Sequence, residues 1–299
     1  MRTRILLADS ALLGITFIWG TTFIIVQNTL DKLPPLAFNA WRFLLAALFL
    51  IAWQLFFRKR PASTRTPLYS PRMLLTGSLL GIFLFVGYLC QTVGLLYTSA
   101  SNAAFITGLS VVFVPILSAL LLRRRPPLNA VAGVAFSTAG LFFLTTRGTL
   151  ALNRGDWIVL ICALAFAMQI VFTEKWTAEF ASLPLTIVQL TTVALLFFLF
   201  GAFFDAGKLV NVRLLLEPGV FLVVLFLALA ATAIAFLLQT VLQKETPATH
   251  VGIIYIMEPV FAAFTSILFQ HVTLGIAELS GCALILLGML LAELRITSK

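Results

Sequence analysis

Two ionisable side chains, Arg42 and Glu258, stand inside long apolar runs. A charge in hydrocarbon is expensive to hold, so each marks a candidate functional position. Arg42 lies six residues into its run and Glu258 ten residues into its own, from the opposite side. In helices these positions are about 9 Å and about 15 Å deep, at ~1.5 Å per residue. Across a hydrocarbon core of about 30 Å their depths differ by about 6 Å, so the two can pair if their helices adjoin. Glu258 has two readings. It is either a midplane carboxylate that takes up a proton or a substrate amine beside the helix-loosening Pro259, or a structural group that satisfies freed backbone or Arg42. Arg42 carries the same choice between function and structure.

The remaining polar inventory within the apolar runs is Tyr88, Gln91, Gln169, Gln239, Tyr255, Asn102 and His250. An amide both donates and accepts hydrogen bonds, which suits a polar solute as well as a neighbouring helix. Trp19, with Phe17, Phe23, Phe105, Thr21 and Thr22, offers an aromatic wall for an apolar solute moiety, or packing against neighbours and lipid. Catalysis finds less to work with. His250 and His271 are the only histidines, and there is no Walker-type glycine loop and no serine or cysteine with a base at hand. No cofactor or metal is implied, and an intramembrane enzyme is the weaker rival to a carrier. Cys90, Cys162 and Cys282 lie singly in apolar segments, without metal or disulfide spacing.

The elements that must position these residues follow from composition. Of the chain, 61% is hydrophobic and 10% charged, against roughly 25% charged in a soluble domain. The apolar residues form runs of about 20, the length of a bilayer-spanning helix. Ten spans are expected, near 7–28, 36–57, 72–96, 101–122, 127–146, 156–175, 183–204, 218–243, 248–269 and 275–294. The first resembles a signal peptide, but Asp9 interrupts it, and it is read as an uncleaved helix. The net charge of +9 comes from cations scattered through short gaps, not from a groove-sized nucleic-acid patch. Fourteen of the 20 basic residues fall in gaps on the side of the N-terminus, among them Arg58, Lys59, Arg60, Arg65, Arg72 and Arg123 to Arg125, and five on the other. The positive-inside bias therefore puts both termini in the cytoplasm.

Shifting the chain by 148 residues superposes Leu89–Thr146 on Leu237–Leu294 without a gap. Gln91-Thr92-Val93 falls on Gln239-Thr240-Val241, Val112-Phe113 on Val260-Phe261, Gly133 on Gly281 and Gly140 on Gly288. The chain is thus read as two five-helix units, 1–146 and 147–299. An odd number of crossings per unit inverts the second, and the charges agree: Arg123-Arg124-Arg125 corresponds to a gap holding only His271, and the Arg58–Arg72 gap to one where Lys208 and Arg213 are balanced by Asp205 and Glu217. Inverted repeats are a common basis of alternating access. An ion channel would favour rings of like residues, which a duplicated chain does not supply.

Several stretches resemble the drug/metabolite transporter superfamily, in its EamA-like ten-helix branch: Phe17-Ile18-Trp19-Gly20, Trp41-Arg42-Phe43-Leu44-Leu45-Ala46, Tyr97-Thr98-Ser99-Ala100-Ser101-Asn102-Ala103 and Glu258-Pro259-Val260-Phe261. They occur in order and cover nearly the whole chain. The resemblance implies an all-α membrane protein of ten transmembrane helices in two inverted five-helix repeats, in the cell (inner) membrane. It implies secondary transport of small organic solutes such as amino acids, other metabolites or drugs, often outward, with proton coupling an option and import the alternative. It does not choose the cargo. Where the family often carries Gly-Glu after helices 4 and 9, this chain reads Arg123-Arg124-Arg125 and Gln270-His271. The substrate-binding or coupling candidates are Trp19, Arg42, Tyr88, Gln91, Gln169, Gln239, Tyr255 and Glu258.

Overall fold

In the computed structural model, residues 2–30, 32–57, 69–98, 100–123, 126–146, 153–204, 212–270 and 275–293 are described, and the secondary structure among them is helical. The first unit contains α1 (Arg2–Leu30), α2 (Pro35–Phe57), α3 (Pro71–Gly94), α4 (Ala100–Gly108), α5 (Ser110–Leu121) and α6 (Leu128–Thr146). The second contains α7 (Arg154–Thr177), α8 (Ser182–Phe204), the short α9 (Val212–Leu215), α10 (Pro218–Ala228), a π-helical turn (Leu229–Ile234), α11 (Ala235–Leu242), α12 (Ala248–Tyr255), α13 (Glu258–Gln270) and α14 (Ile276–Glu293).

Helix starts follow local chemistry. Ser70 accepts from the amide of Met73 and is followed by Pro71, while Asn153 and Asp156 form a reciprocal capping box at the start of α7. Among the described residues six helices are long and apolar enough to cross a membrane, and three shorter apolar ones accompany them. Large apolar side chains point outward, as with Phe56 at 83% and Ile276 at 88% exposure. Such a surface suits lipid and not water. The molecule is an all-α membrane protein.

The spans expected at 101–122, 218–243 and 248–269 are each interrupted. The first breaks at Leu109, the second passes through the π turn, and the third breaks at Ile256 and Met257. Apolar length and periodicity are the same for a broken and an unbroken helix, so the sequence pattern does not register such breaks. Leu109 and Met257 are 148 residues apart, the offset of the sequence repeat.

Helix directions follow from side-chain contacts. Helices α3 and α7 run antiparallel, with Gly94 close to Gly155 and Phe83 stacked on Phe172. Helices α3 and α8 run parallel, with Gly77 against Leu185 and Val188, and Gly81 against Gln189 and Thr192. Ser182 donates to the carbonyl of Thr240, and the amide of Ala248 donates to Glu174. Arg72, Glu179, Thr240, Thr246 and Ala248 therefore share one end of the bundle, with Thr98 and Asp156 at the other. The start of α1 lies at the Thr246 end, where Asp9 sits 3.9 Å from His250. The end of α14 lies there too, since Asn129 at the start of α6 donates to the carbonyl of Ala292.

A small-residue seam joins α6 to α14. Gly133 meets the carbonyl of Gly288, and Gly140 that of Gly281, so that a Cβ at either would sit 2.7 or 2.6 Å from that oxygen. The 148-residue offset turns one contact into the other. Without a side chain, the two backbones approach at distances no other residue allows. Cys90, Cys162 and Cys282 are free thiols. Most of the charge-rich gaps used for the topology, including Arg58–Arg65, Arg124-Arg125, Lys208 and His271, lie outside the described residues, as do the side chains of Phe23, Asn102 and Phe105.

Candidate functional site: a cavity at the two helix breaks

A cavity of about 80 Å³ lies between the two units, room for a few water molecules at about 10–15 Å³ each. All eight sequence candidates line it: Trp19, Arg42, Tyr88 and Gln91 from the first unit, Gln169, Gln239, Tyr255 and Glu258 from the second. Thr107, Ser110, Phe166 and Phe236 complete much of the wall. The first two were not singled out from the sequence, although a signal was present: the 148-residue offset carries Thr107 onto Tyr255 and Ser110 onto Glu258. The same offset carries Tyr88 onto Phe236. The wall is therefore built largely from corresponding positions of both units.

The π turn in the second unit is what two of the candidates hold. Widening a helix to the π spacing disturbs its regular bonding and exposes backbone acceptors. The indole N–H of Trp19 donates to the carbonyl of Ala231 at 2.8 Å. Thr232 in the same turn donates to the carbonyl of Leu227, five residues back, at 2.8 Å, and accepts from Nε of Arg42 at 2.7 Å. Arg42 is buried, its Nη2 is 3.5 Å from the Tyr88 hydroxyl, and its guanidinium lies over the Tyr88 ring at 4.9 Å. A guanidinium placed in this way is held by a neutral hydroxyl and an aromatic face.

The pairing of Arg42 with Glu258 considered from their depths does not form: no ion pair between them is present among the described residues. Thr232 and Tyr88 take the guanidinium instead. Glu258 is not mid-helix either but opens α13, with Pro259 directly behind it. A proline in the first turn of a helix forfeits no intrahelical bond, so here it starts a helix and does not weaken one. The carboxylate stands at the helix N-terminus, where the backbone dipole favours negative charge. Glu258 is half-buried and lines the cavity, and it makes no hydrogen bond or ion pair among the described residues.

Gln239 is fully buried and donates from Nε2 both to Gln169 at 3.1 Å and to Gln243 at 3.0 Å. Gln169 donates to Thr173, and Gln243 donates to the carbonyl of Ile170. Gln243 in turn lines a second cavity, of about 440 Å³, at the Thr246 end, together with Leu122, Glu174 and Thr246. The string of amides thus separates the central cavity from that end. Its counterpart Gln91 is half-buried and, among the described residues, reaches only Thr107, at 3.5 Å. Among the described residues, Oε1 of Gln239 and the hydroxyl of Tyr255 are buried without a partner. Both line the cavity, so it presents unused hydrogen-bonding capacity beside the Glu258 carboxylate.

The family model for EamA-like transporters matches residues 6–146 and again 153–294. The chain belongs to the EamA-like transporter family. It is similar to an uncharacterized transporter of Archaeoglobus fulgidus, 33% identical over 97% of this chain and 87% of the relative. It is also similar to the uncharacterized transporter YyaM of Bacillus subtilis, at 25% identity over 94% of this chain and 92% of the relative. A chain of known crystal structure shares the fold with a TM-score of 0.78 at 19% identity, covering 97% of this chain and 99% of that one. This EamA-like protein is therefore a multi-pass membrane protein from a family of transporters, and the family's match to each half agrees with an internal repeat.

Proposed function

We propose that this protein is a secondary transporter that moves a small organic metabolite, of the amino-acid class or related to it, by alternating access, with export as the working direction. The observation that carries the reading is the cavity at the two corresponding helix breaks, Leu109 and Met257, to which both units contribute. Broken helices near the midplane expose helix ends and backbone to a solute, as in other transporters built from repeats. The lining supports an amphiphilic cargo: Glu258, Gln239 and Tyr255 face its donors, Arg42 contributes positive charge, and Trp19, Phe166 and Phe236 form apolar wall.

In this reading the two units, 1–146 and 147–299, are inverted, each crosses the inner membrane five times, and both termini are cytoplasmic. Support comes from the shared end of α1 and α14 and from Arg72, Arg123, Lys175 and Lys244 at that same end. The cavity holds only a few waters, so cargo enters when the units separate. The Gln169–Gln239–Gln243 string is the barrier that opens toward the Thr246 end. Glu258 takes up a proton as the cavity changes sides.

Substrate counterflow in reconstituted vesicles tests the carrier: exchange of labelled amino acids against internal cold solute is expected, and its absence across a broad metabolite panel counts against transport. An imposed pH gradient should drive uptake in the wild type, and Glu258→Gln should abolish that response while counterflow persists. Unaltered pH-driven uptake in the variant removes Glu258 from coupling.

A further inference from the structure

On the lipid side of the molecule, away from the central cavity, α5 and α6 leave a groove of about 410 Å³. Its walls are Val112, Pro115, Ile116, Ala119 and Leu120 of α5, with Pro126, Val131 and Val134 from the following turn and α6. Every one of these side chains is apolar. From Val112 to Leu120 the groove follows the helix for about 12 Å, at ~1.5 Å for each step from one residue to the next. Half of a hydrocarbon core is about 15 Å, so the groove has the depth of one leaflet.

Arg123 stands in the connection between the two helices of the groove, three residues past Leu120 and three before Pro126. Leu122 lines the cavity at the Thr246 end, and Pro126 lines the groove. The four residues that follow Leu122 read Arg123-Arg124-Arg125-Pro126. Arg123 is exposed and has a φ of 54°, in the left-handed region. That conformation is uncommon for a side chain other than glycine or asparagine, and it turns the chain sharply from α5 toward α6 at the groove's end. The corresponding residues of the second unit, 271–273, are His-Val-Thr. Arg123 thus has no arginine or lysine counterpart at the repeat offset.

We propose that this groove is a binding site for an acidic phospholipid, with one acyl chain lying along Val112–Leu120 and the phosphate on Arg123. A guanidinium matches phosphate oxygens in charge and geometry, which a neutral hydrocarbon surface does not. Because α5 also carries Ser110 at the central cavity, an occupied groove braces the helix that starts at the first break. The site stands independently of the identity of the transported solute.

Native mass spectrometry of the delipidated full chain, titrated with phosphatidylglycerol or phosphatidylcholine of identical acyl chains, tests the site. Phosphatidylglycerol is expected to bind about fivefold more tightly, the effect of one near-surface cation. Arg123→Ala should bring it down to the phosphatidylcholine level, while Arg123→Lys retains the preference. Ala119→Phe, which fills the groove, should weaken both lipids. Arg154→Ala, at the opposite end, should change neither. Equal binding of the two lipids by the wild type overturns the proposal, as does an Arg123→Ala protein that keeps the preference or a dimer whose formation displaces the lipid.

Discussion

Helix α3 and its repeat counterpart, the span from α10 to α11, share Gln-Thr-Val at the same register and yet are built differently. Helix α3 is unbroken, and its glycines Gly77, Gly81, Gly87 and Gly94 lie close against α7 and α8. Its counterpart carries Leu229 where α3 has Gly81 and Ala235 where α3 has Gly87, and it opens into a π turn bonded by Trp19 and Arg42. One copy is held by close backbone packing and the other by directional polar bonds. Packing has no alternative partner, whereas a hydrogen bond can be exchanged for one to solute or water. The two copies of one helix thus differ in what fixes them, close packing for the first and replaceable polar bonds for the second.

The largest effect is expected on the closely packed side. A methyl at Gly81 would sit 2.6 Å from Cβ of Thr192 and 2.7 Å from the carbonyl of Gln189, and backbone cannot swing away. Gly81→Ala should therefore cost about 1–3 kcal/mol, read as a lower melting temperature in detergent. An unchanged melting temperature would show that α3 and α8 are not held as described.

On the polar side, Thr232→Val removes the acceptor of Nε of the buried Arg42 and the bond that spans the π turn. The expected loss is about 1–3 kcal/mol for the orphaned donor, accompanied by weaker counterflow, whereas Thr232→Ser should restore both. Equal behaviour of the valine and serine variants would detach Arg42 from the turn.

The smallest effect separates the twin glutamines. Gln239→Leu removes two hydrogen bonds between amide side chains within a buried string and should cost about 1 kcal/mol, in the range of polar contacts between helices in membranes. Gln91→Leu breaks one long contact at 3.5 Å and should lie near zero. Equal melting temperatures for the two variants would mean that the walls are equivalent after all.

How far the site was legible depends on the residue. Glu258 and Arg42 stood out because charge within apolar runs is rare, and Gln91 and Gln239 because the repeat aligns them. All four line one cavity. The partnership of the charged pair was not legible, because depth along two helices says nothing of which faces meet. Thr232 was invisible for a different reason: a threonine in an apolar span reads the same whether its hydroxyl bonds its own helix or an arginine from another. Ser110 and Thr107 were within reach, since applying the offset to Glu258 and Tyr255 names them.

By itself the sequence determined the membrane class, through apolar runs that only helices can satisfy in lipid, and the duplication, through the 148-residue offset. Tertiary structure alone decided that Arg42 is held by Thr232 and Tyr88, that Glu258 begins a helix beside unpartnered Gln239 and Tyr255 atoms, and that the two copies of one helix differ in kind. The physical reason is range. Hydrophobic length and periodicity act within a segment and are written along the chain, while the choice among polar partners is made between segments and exists only once they are packed.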